Sequence, residues 1–185
     1  MKKSIVILFL LFAVKFSFGQ QKLIPAKVIL CKNTNDTLKG EIKVNTKKIH
    51  EIYKRITFKP TTGPQKLFKP GIACIFFMEG KKFISMDFEG QPSEFLEVLA
   101  EGKINFYKGY AEFANMNEIT FEPVYYFTDK NGNLEEADEK KFAKQIKQRV
   151  GKDLPELKEL EALKQFDEKA IAQWIQNYNS KANVN

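Results

Sequence analysis

The sequence predicts an α+β fold: an antiparallel, meander-like β-sheet followed by two or three C-terminal α-helices. Three observations lead there. Short β-prone runs alternate with turn residues from about residue 23 to 129. Four X–Gly pairs, Glu79–Gly80, Glu89–Gly90, Glu101–Gly102 and Asn131–Gly132, recur at roughly strand-length spacing, and glycine supplies the positive φ that tight hairpins need. From Asp138 onward the apolar spacing changes to that of helices. The ten glycines carry neither a P-loop nor a dinucleotide fingerprint. Hairpins rather than βαβ units are therefore expected, and no cofactor.

The chain opens with Lys2 and Lys3, then the uncharged run Ile5–Val14 (IVILFLLFAV), with Ser17 and Gly19 as small residues before Gln20. This is the pattern of an export signal, residues 1–19, cleaved after Gly19. The apolar run is about half the ~20 residues a membrane-spanning helix requires, and Lys15 ends it. The expected localisation is periplasmic or secreted, with no transmembrane span after cleavage. The mature chain then divides into a β-rich domain (20–137), a helical segment packed on it (138–179) and a tail (180–185).

The expected strands are Ala26–Cys31 and Thr37–Val44 around the turn-rich Lys32–Asp36, then Ile56–Lys59 and Gln65–Lys69 around Thr61–Pro64. Ile72–Met78 and Lys82–Phe88 flank Glu79–Gly80, and Phe95–Ala100 and Lys103–Tyr107 flank Glu101–Gly102. Phe121–Thr128 ends at Asn131–Gly132. Ser93 before EFLEVLAE also suits a helix cap, but Lys103–Tyr107 follows at hairpin distance, with Ile104 and Phe106 on one face, so a strand is expected.

In the helical segment Asp138 is placed to cap a first helix carrying Phe142, Ile146 and Val150, stopped by Gly151. Asp153, with Glu156 three residues on and Pro155 in the first turn, opens a second helix with Leu157, Leu160 and Leu163. Asp167 caps a third, with Phe166 and Ile171 spaced as a hydrophobic staple. Ile171, Trp174, Ile175 and Tyr178 form its apolar stripe, which needs either the sheet or a second protein to cover it.

The whole chain holds 30 Lys and Arg against 23 acids, and three of the lysines lie in the leader, so the mature net charge is +4. That modest excess, together with export, argues against nucleic acid as a partner. The excess is local: between Lys39 and Lys69 nine Lys and Arg face Glu41 and Glu51 alone. Lys47, Lys48, Lys54 and Arg55 are its candidate binding residues, for an anionic glycan, a lipid phosphate or an acidic partner such as an envelope protein. The alternative is a solvated set of strand and loop lysines that keeps edges from pairing. Cys31 and Cys74 each sit in an apolar run. They either form a disulfide, which export permits, or serve as two separate small apolar fillers.

Catalytic patterns are sparse. His50 is the single histidine, and it stands among Lys47, Lys48, Lys54 and Arg55. A zinc site normally takes several His or Cys ligands, so no metal is expected. Ser85 and Ser93 lack the context of an activated nucleophile. Asp87 with Glu89, or Glu112 with Glu118, are conceivable carboxylate pairs for glycoside chemistry. In a chain with 23 acids such pairs arise by chance. The aromatic crowd at Phe106–Phe113 and Phe121–Phe127 is more distinctive. With alternating faces, one set belongs to the core. Tyr107, Tyr110 and Tyr125 are the candidates for an exposed platform, with Lys108 beside Tyr107 adding a cation. Asp36–Thr37–Leu38 resembles a short bacterial O-glycosylation acceptor and also reads as an ordinary turn-to-strand junction.

Four segments stand out together: NDTLKGEI (Asn35–Ile42); Phe68, Pro70, Ala73 and Phe76, close to an "F-x-P-x-x-I-x-x-F" spacing with Ile72 one place early; FLEVLAEGKINFYK (Phe95–Lys108); and YYFTDKNGNLEEA (Tyr125–Ala137) with the later WIQNYN (Trp174–Asn179). Together they resemble a family of secreted or envelope α+β domains of Bacteroidota, the first its opening motif and the third its hairpin, with Phe106 where leucine is common. The resemblance implies envelope location and an α+β fold and supplies no catalytic residue. The function expected is that of a non-enzymatic binding or interaction module; the alternative is a carboxylate-dependent hydrolase of envelope glycan or peptide.

Overall fold

The computed structural model describes residues 21–88, 91–115, 118–128, 132–150, 154, 157–163 and 165–182. The leader lies outside the described residues, as do Gly151, Asp153, Pro155 and Glu156. Ten strands form one sheet: β1 Gln21–Leu30, β2 Asn33–Asn45, β3 Ile56–Pro60, β4 Lys66–Phe68, β5 Ala73–Met78, β6 Lys81–Phe88, β7 Gln91–Ala100, β8 Phe106–Asn115, β9 Glu118–Thr128 and β10 Leu134–Glu136. Helix α1, Glu51–Lys54, lies between β2 and β3. Helices α2 Phe142–Val150, α3 Leu157–Glu161 and α4 Glu168–Ala182 follow the sheet. The fold is strand-dominated, with its helices mostly C-terminal.

The sheet order is β10-β9-β8-β7-β6-β5-β1-β2-β3-β4, with antiparallel neighbours throughout. The single meander expected from the sequence is thus two meanders, β1–β4 and β5–β10, joined by pairing β1 with β5. This join fixes the shape. In a flat sheet β4 and β5 would stand four strand spacings apart, about 19 Å. The chain between them makes one tight turn, with the Ile72 and Ala73 amides both donating to the Lys69 carbonyl at 3.1 and 3.2 Å. Strands β1–β5 must therefore roll until β4 meets β5. Gly40 permits the close approach of β2 to β3, because a Cβ there would lie 2.2 Å from the Lys59 carbonyl oxygen.

The interior of the roll takes alternate residues. Ile24, Ala26 and Val28 from β1, Ile42 and Val44 from β2, and Phe58, Phe76, Phe83 and Phe95 form one core with Ile52 and Tyr53 of α1. Cys31 and Cys74 are bridged, with Cα atoms 4.8 Å apart, and the Cys31 amide donates to the Ile72 carbonyl at 3.0 Å. The bridge ties β1 to β5 at the join between the meanders.

The same sheet face continues into the second half. Glu97 on β7 lies opposite Lys108 on β8, which lies opposite Tyr125 on β9. Here helices cover what the roll no longer encloses. Phe106, Tyr125 and Phe127 pack with Phe142, Ile146, Leu157, Leu160, Ile171, Trp174 and Ile175 in a second core. The apolar stripe of α4 is therefore covered by this molecule's own sheet and helices. Asp167 caps α4 as expected, its Oδ1 accepting from the Lys169 and Ala170 amides at 3.0 Å each. No described helix is long and apolar enough to cross a membrane.

Several boundaries differ from expectation. The hairpin expected over Lys32–Asp36 turns at Cys31–Lys32 instead, and the register slips between Ile29 and Leu30. Lys103–Asn105 belongs to a loop, in which Asn105 Oδ1 accepts from the Gly102 amide at 2.9 Å, so β8 begins at Phe106. Asp138 accepts from the Lys140 amide at 2.8 Å and makes a turn, and α2 starts only at Phe142. The tail expected from Ser180 is helical to Ala182. Asn179, buried, holds this end of α4 on the β7–β8 loop: its Oδ1 accepts from the Ile104 amide at 3.0 Å and its Nδ2 donates to the Ile104 carbonyl at 2.7 Å.

Candidate functional site

The exposed aromatic platform expected from the sequence does not form. Tyr107 and Tyr125 are only 5% and 8% exposed, and Tyr110 is half-buried against the first core. Around Tyr107 and Tyr125 both faces of β8 and β9 are covered, whereas the far end of this hairpin, with Phe113 and Ile119, is exposed. Tyr125 stacks on Phe106 and packs against Phe166 under the helices. Tyr107, on the other face, lies opposite Tyr126, which meets Phe88 edge-on. Burial, with a smaller contribution from Glu101, pushes the Tyr107 hydroxyl up to about 12. Lys108 lies over Tyr125, not Tyr107, and ion-pairs with Glu168 at 2.7 Å. The Tyr125 hydroxyl donates to the same Glu168 oxygen at 2.8 Å.

Lys108 and Glu168 belong instead to a polar seam between the two cores. Its other member is Glu97, 6% exposed, which takes Lys81 at 2.7 Å and the Tyr53 hydroxyl at 3.1 Å. Burial, then the Glu97 charge and hydrogen bond, push the Tyr53 hydroxyl far above its ordinary value. Burial opposes ionisation of Glu168, but hydrogen bonds from Lys108 and Tyr125 and the charges of Lys108 and Lys81 outweigh it, and its carboxyl sits below 4.5. Each carboxylate here has a cation and a hydroxyl. The arrangement is a satisfied ionic lock between sheet and helix.

The basic candidates gather at the other end of the first core. Asn45 and the turns after it lead into α1: the Lys47 amide donates to Asn45 Oδ1 at 3.1 Å and the Lys48 amide to the Asn45 carbonyl at 2.9 Å. Helix α1 sinks Ile52 and Tyr53 into the roll. His50, Glu51, Lys54 and Arg55 are left on its outer side, facing β7 and the far end of β9. Between them lies a cleft of ≈ 810 Å³ whose walls include Lys69, Ser93, Glu94 and Phe121. His50 stacks on Phe121, with ring centroids 3.6 Å apart and planes at 5°. Lys54 reaches the same ring at 5.4 Å and ion-pairs with Glu112 at 2.9 Å.

The cleft mixes unpaired cations with a half-buried carboxyl. Arg55 and Lys69 have no ion-pair partner among the described residues. Burial raises the Glu94 carboxyl above its ordinary value, with Lys54 opposing. Burial likewise lowers the His50 imidazole below 6.5, so at pH 7 it contributes a flat neutral ring rather than a charge. Lys48 lies just outside, with Arg55, on a smaller cavity of ≈ 150 Å³, and Lys47 is exposed on the preceding turn. Of the four basic candidates, Lys54 and Arg55 line the cleft and Lys48 adjoins it.

Sequence reasoning missed Glu94 and Phe121, which reach the cleft from β7 and β9; Lys69, part of the basic stretch but not among its four named candidates, reaches it from the turn after β4. Phe121 belonged to the aromatic crowd, but nothing local distinguished it from its buried neighbours. The carboxylate pairs considered earlier do not assemble at this cleft. Glu112 is taken by Lys54, Glu118 pairs across the exposed end of the β8–β9 hairpin with Asn115, and Asp87 accepts from Ser93. Glu89 lies outside the described residues. Among the described residues no group of three His, Cys, Asp or Glu is arranged to hold a metal. No protein-family model, curated protein or solved structure matches this chain significantly.

Proposed function

We propose that this chain is an exported cell-envelope protein that acts as a non-enzymatic binding module, with an anionic glycan as its ligand in the cleft beside α1. The observation that carries this is the presence of two cations without an ion pair among the described residues, Arg55 and Lys69, beside the half-buried Glu94 in one cleft. A carboxylated sugar matches both features. Its carboxylate answers the cations, the guanidinium of Arg55 being able to take it bidentately. Its hydroxyls donate to Glu94, a requirement that a bare phosphate or an acidic peptide side chain does not meet. The volume suits a ligand of one or a few sugar units. The leader pattern in residues 1–19 supports export, and the Cys31–Cys74 bridge suits an oxidising compartment. N-terminal sequencing of protein recovered from intact cells is expected to begin at Gln20; a chain beginning at Met1 in the cytosol contradicts export.

Glu51 and Glu94 share this cleft, and the raised Glu94 carboxyl is the feature a general acid needs. This favours, as a second reading, a carboxylate-dependent hydrolase. Calorimetric titration with an oligogalacturonate trimer separates the possibilities. Binding is expected without turnover, and Arg55→Ala with Lys69→Ala is expected to weaken it at least about tenfold, about 1.4 kcal/mol. Trimer cleavage that Glu94→Gln abolishes would establish the hydrolase instead. No heat of binding, with or without the substitutions, removes the cleft as a glycan site.

A further inference from the structure

The cleft is one end of a longer run of cations. The buried residues of β1 and β2 alternate, so Lys27, Lys39 and Lys43 point away from the core, and Lys59 of β3 does the same. The register sets Lys27 directly opposite Lys39. Like charges facing each other across a strand pair are destabilising, and neither lysine has an ion-pair partner among the described residues. With Lys59 and the 37% exposed Phe77 they line a groove of ≈ 820 Å³ on the outer face of the roll. Two carboxylates interrupt the groove: Glu41, opposite Lys59, and Glu79, which is ion-paired with Lys22 at 3.0 Å.

The groove shares no lining residue with the cleft; β2 and a small cavity beside α1 lie between them. Lys43 lies on the same face of β2 as Lys39, four residues along, about 14 Å at ~3.4 Å per residue. Lys43 also lines the small cavity to which Lys48 and Arg55 contribute. Arg55 in turn lines the cleft. Positive side chains thus follow one another from Lys27 and Lys39, past Lys59 and Lys43, to Arg55 and Lys69.

We infer that this track binds an extended polyanionic glycan, the cleft holding one sugar and the groove on the outer face of β1–β3 holding a later segment of the same chain. The inference rests on the reading of the cleft as an anionic-glycan site. A small anion answers one pair of cations at most. A polymer with a charge on each unit answers the whole series, relieves the Lys27–Lys39 repulsion, and converts each further contact into an intramolecular one.

The test compares an oligogalacturonate trimer with a dodecamer on the wild-type mature chain, on Lys27→Glu with Lys39→Glu, and on Arg55→Ala with Lys69→Ala. Folding of each variant is checked by circular dichroism and thermal melting. Polyglutamate of matched length is the control for an acidic peptide. The wild type is expected to bind the dodecamer at least about tenfold more tightly than the trimer. Lys27→Glu with Lys39→Glu is expected to bind the trimer as the wild type does and to lose most of the gain with length. Equal wild-type affinity for both lengths overturns the track, as does a gain that survives the double charge reversal. If the trimer still binds through Arg55 and Lys69 in those cases, the cleft stands and only the track fails. If neither length binds, both fail. Tighter capture of polyglutamate than of the dodecamer overturns the glycan as the ligand.

Discussion

The two halves of the sheet treat their charges differently. In the helix-covered half the cations that lie against the fold are paired, Lys108 with Glu168, Arg149 with Glu135, Lys147 with Glu161 and Lys82 with Glu101. Only exposed helix and turn lysines there, such as Lys144 and Lys158, lack an ion pair among the described residues. The rolled half pairs Lys22, Lys48 and Lys54. In the rolled half Lys27, Lys39, Lys43, Lys59, Lys69 and Arg55 have none among the described residues. Both halves solve the same structural problem, an apolar sheet face that must be covered. One covers itself by rolling and the other is covered by helices that bring acidic side chains. The local basic excess in the sequence therefore survives folding as an unneutralised surface on the roll, and that is where the account places function. The helices, by contrast, serve the fold.

The comparison can be broken most severely at the join of the roll. Cys31→Ser with Cys74→Ser opens a loop closed over a separation of 43 residues, and the chain-entropy argument gives a loss of about 4 kcal/mol. Urea unfolding of oxidised and substituted protein measures it. A loss below about 1 kcal/mol would mean that the roll is held by packing alone.

The next largest effect lies in the helix-covered half. Asn179→Ala removes both side-chain bonds to the Ile104 backbone and leaves buried amide and carbonyl groups unsatisfied, which costs about 2–3 kcal/mol. Hydrogen exchange is expected to speed at Ile104 in step. Ligand affinity at the cleft is expected to stay unchanged, because the two regions share no residue. A matching loss of affinity would show that the halves do not separate function from stability.

The smallest expected effect is on pH dependence. The folded Glu168 carboxyl is held below 4.5. A depressed carboxylate stabilises the native state above its unfolded value, and the contribution disappears as pH falls through the lowered folded value. Acid unfolding followed by circular dichroism is therefore expected to show a limb below about pH 4.5, which Glu168→Gln flattens. An identical limb in that variant would mean that other carboxylates set the acid stability.

Much of this architecture is legible in the sequence because it is local. Glu79 and Gly80 both take positive φ, 51° and 76°, and the hairpin between β5 and β6 forms where the pair stands. Asp167 caps α4 by the same kind of short-range chemistry. The pairing of β1 with β5 is non-local: no turn residue announces it, and two cysteines in apolar runs also suit separate burial. The aromatic residues mislead for a related reason. Period-two alternation tells which side chains share a face, but not that Tyr107 and Tyr125, on opposite faces, are both covered. In the candidate cleft the contiguous residues Lys54 and Arg55 were legible as a charge cluster. Glu94 and Phe121, brought by β7 and β9, required the fold.

The central claim is that the rolled half presents its anion site beside α1. The most direct test is an amide chemical-shift titration of the isotope-labelled mature protein with the oligogalacturonate trimer. Saturable shifts are expected at Glu51–Arg55, Lys69 and Glu94, with α2–α4 unmoved. Shifts concentrated on the helices, or no saturable shift anywhere, would contradict the account.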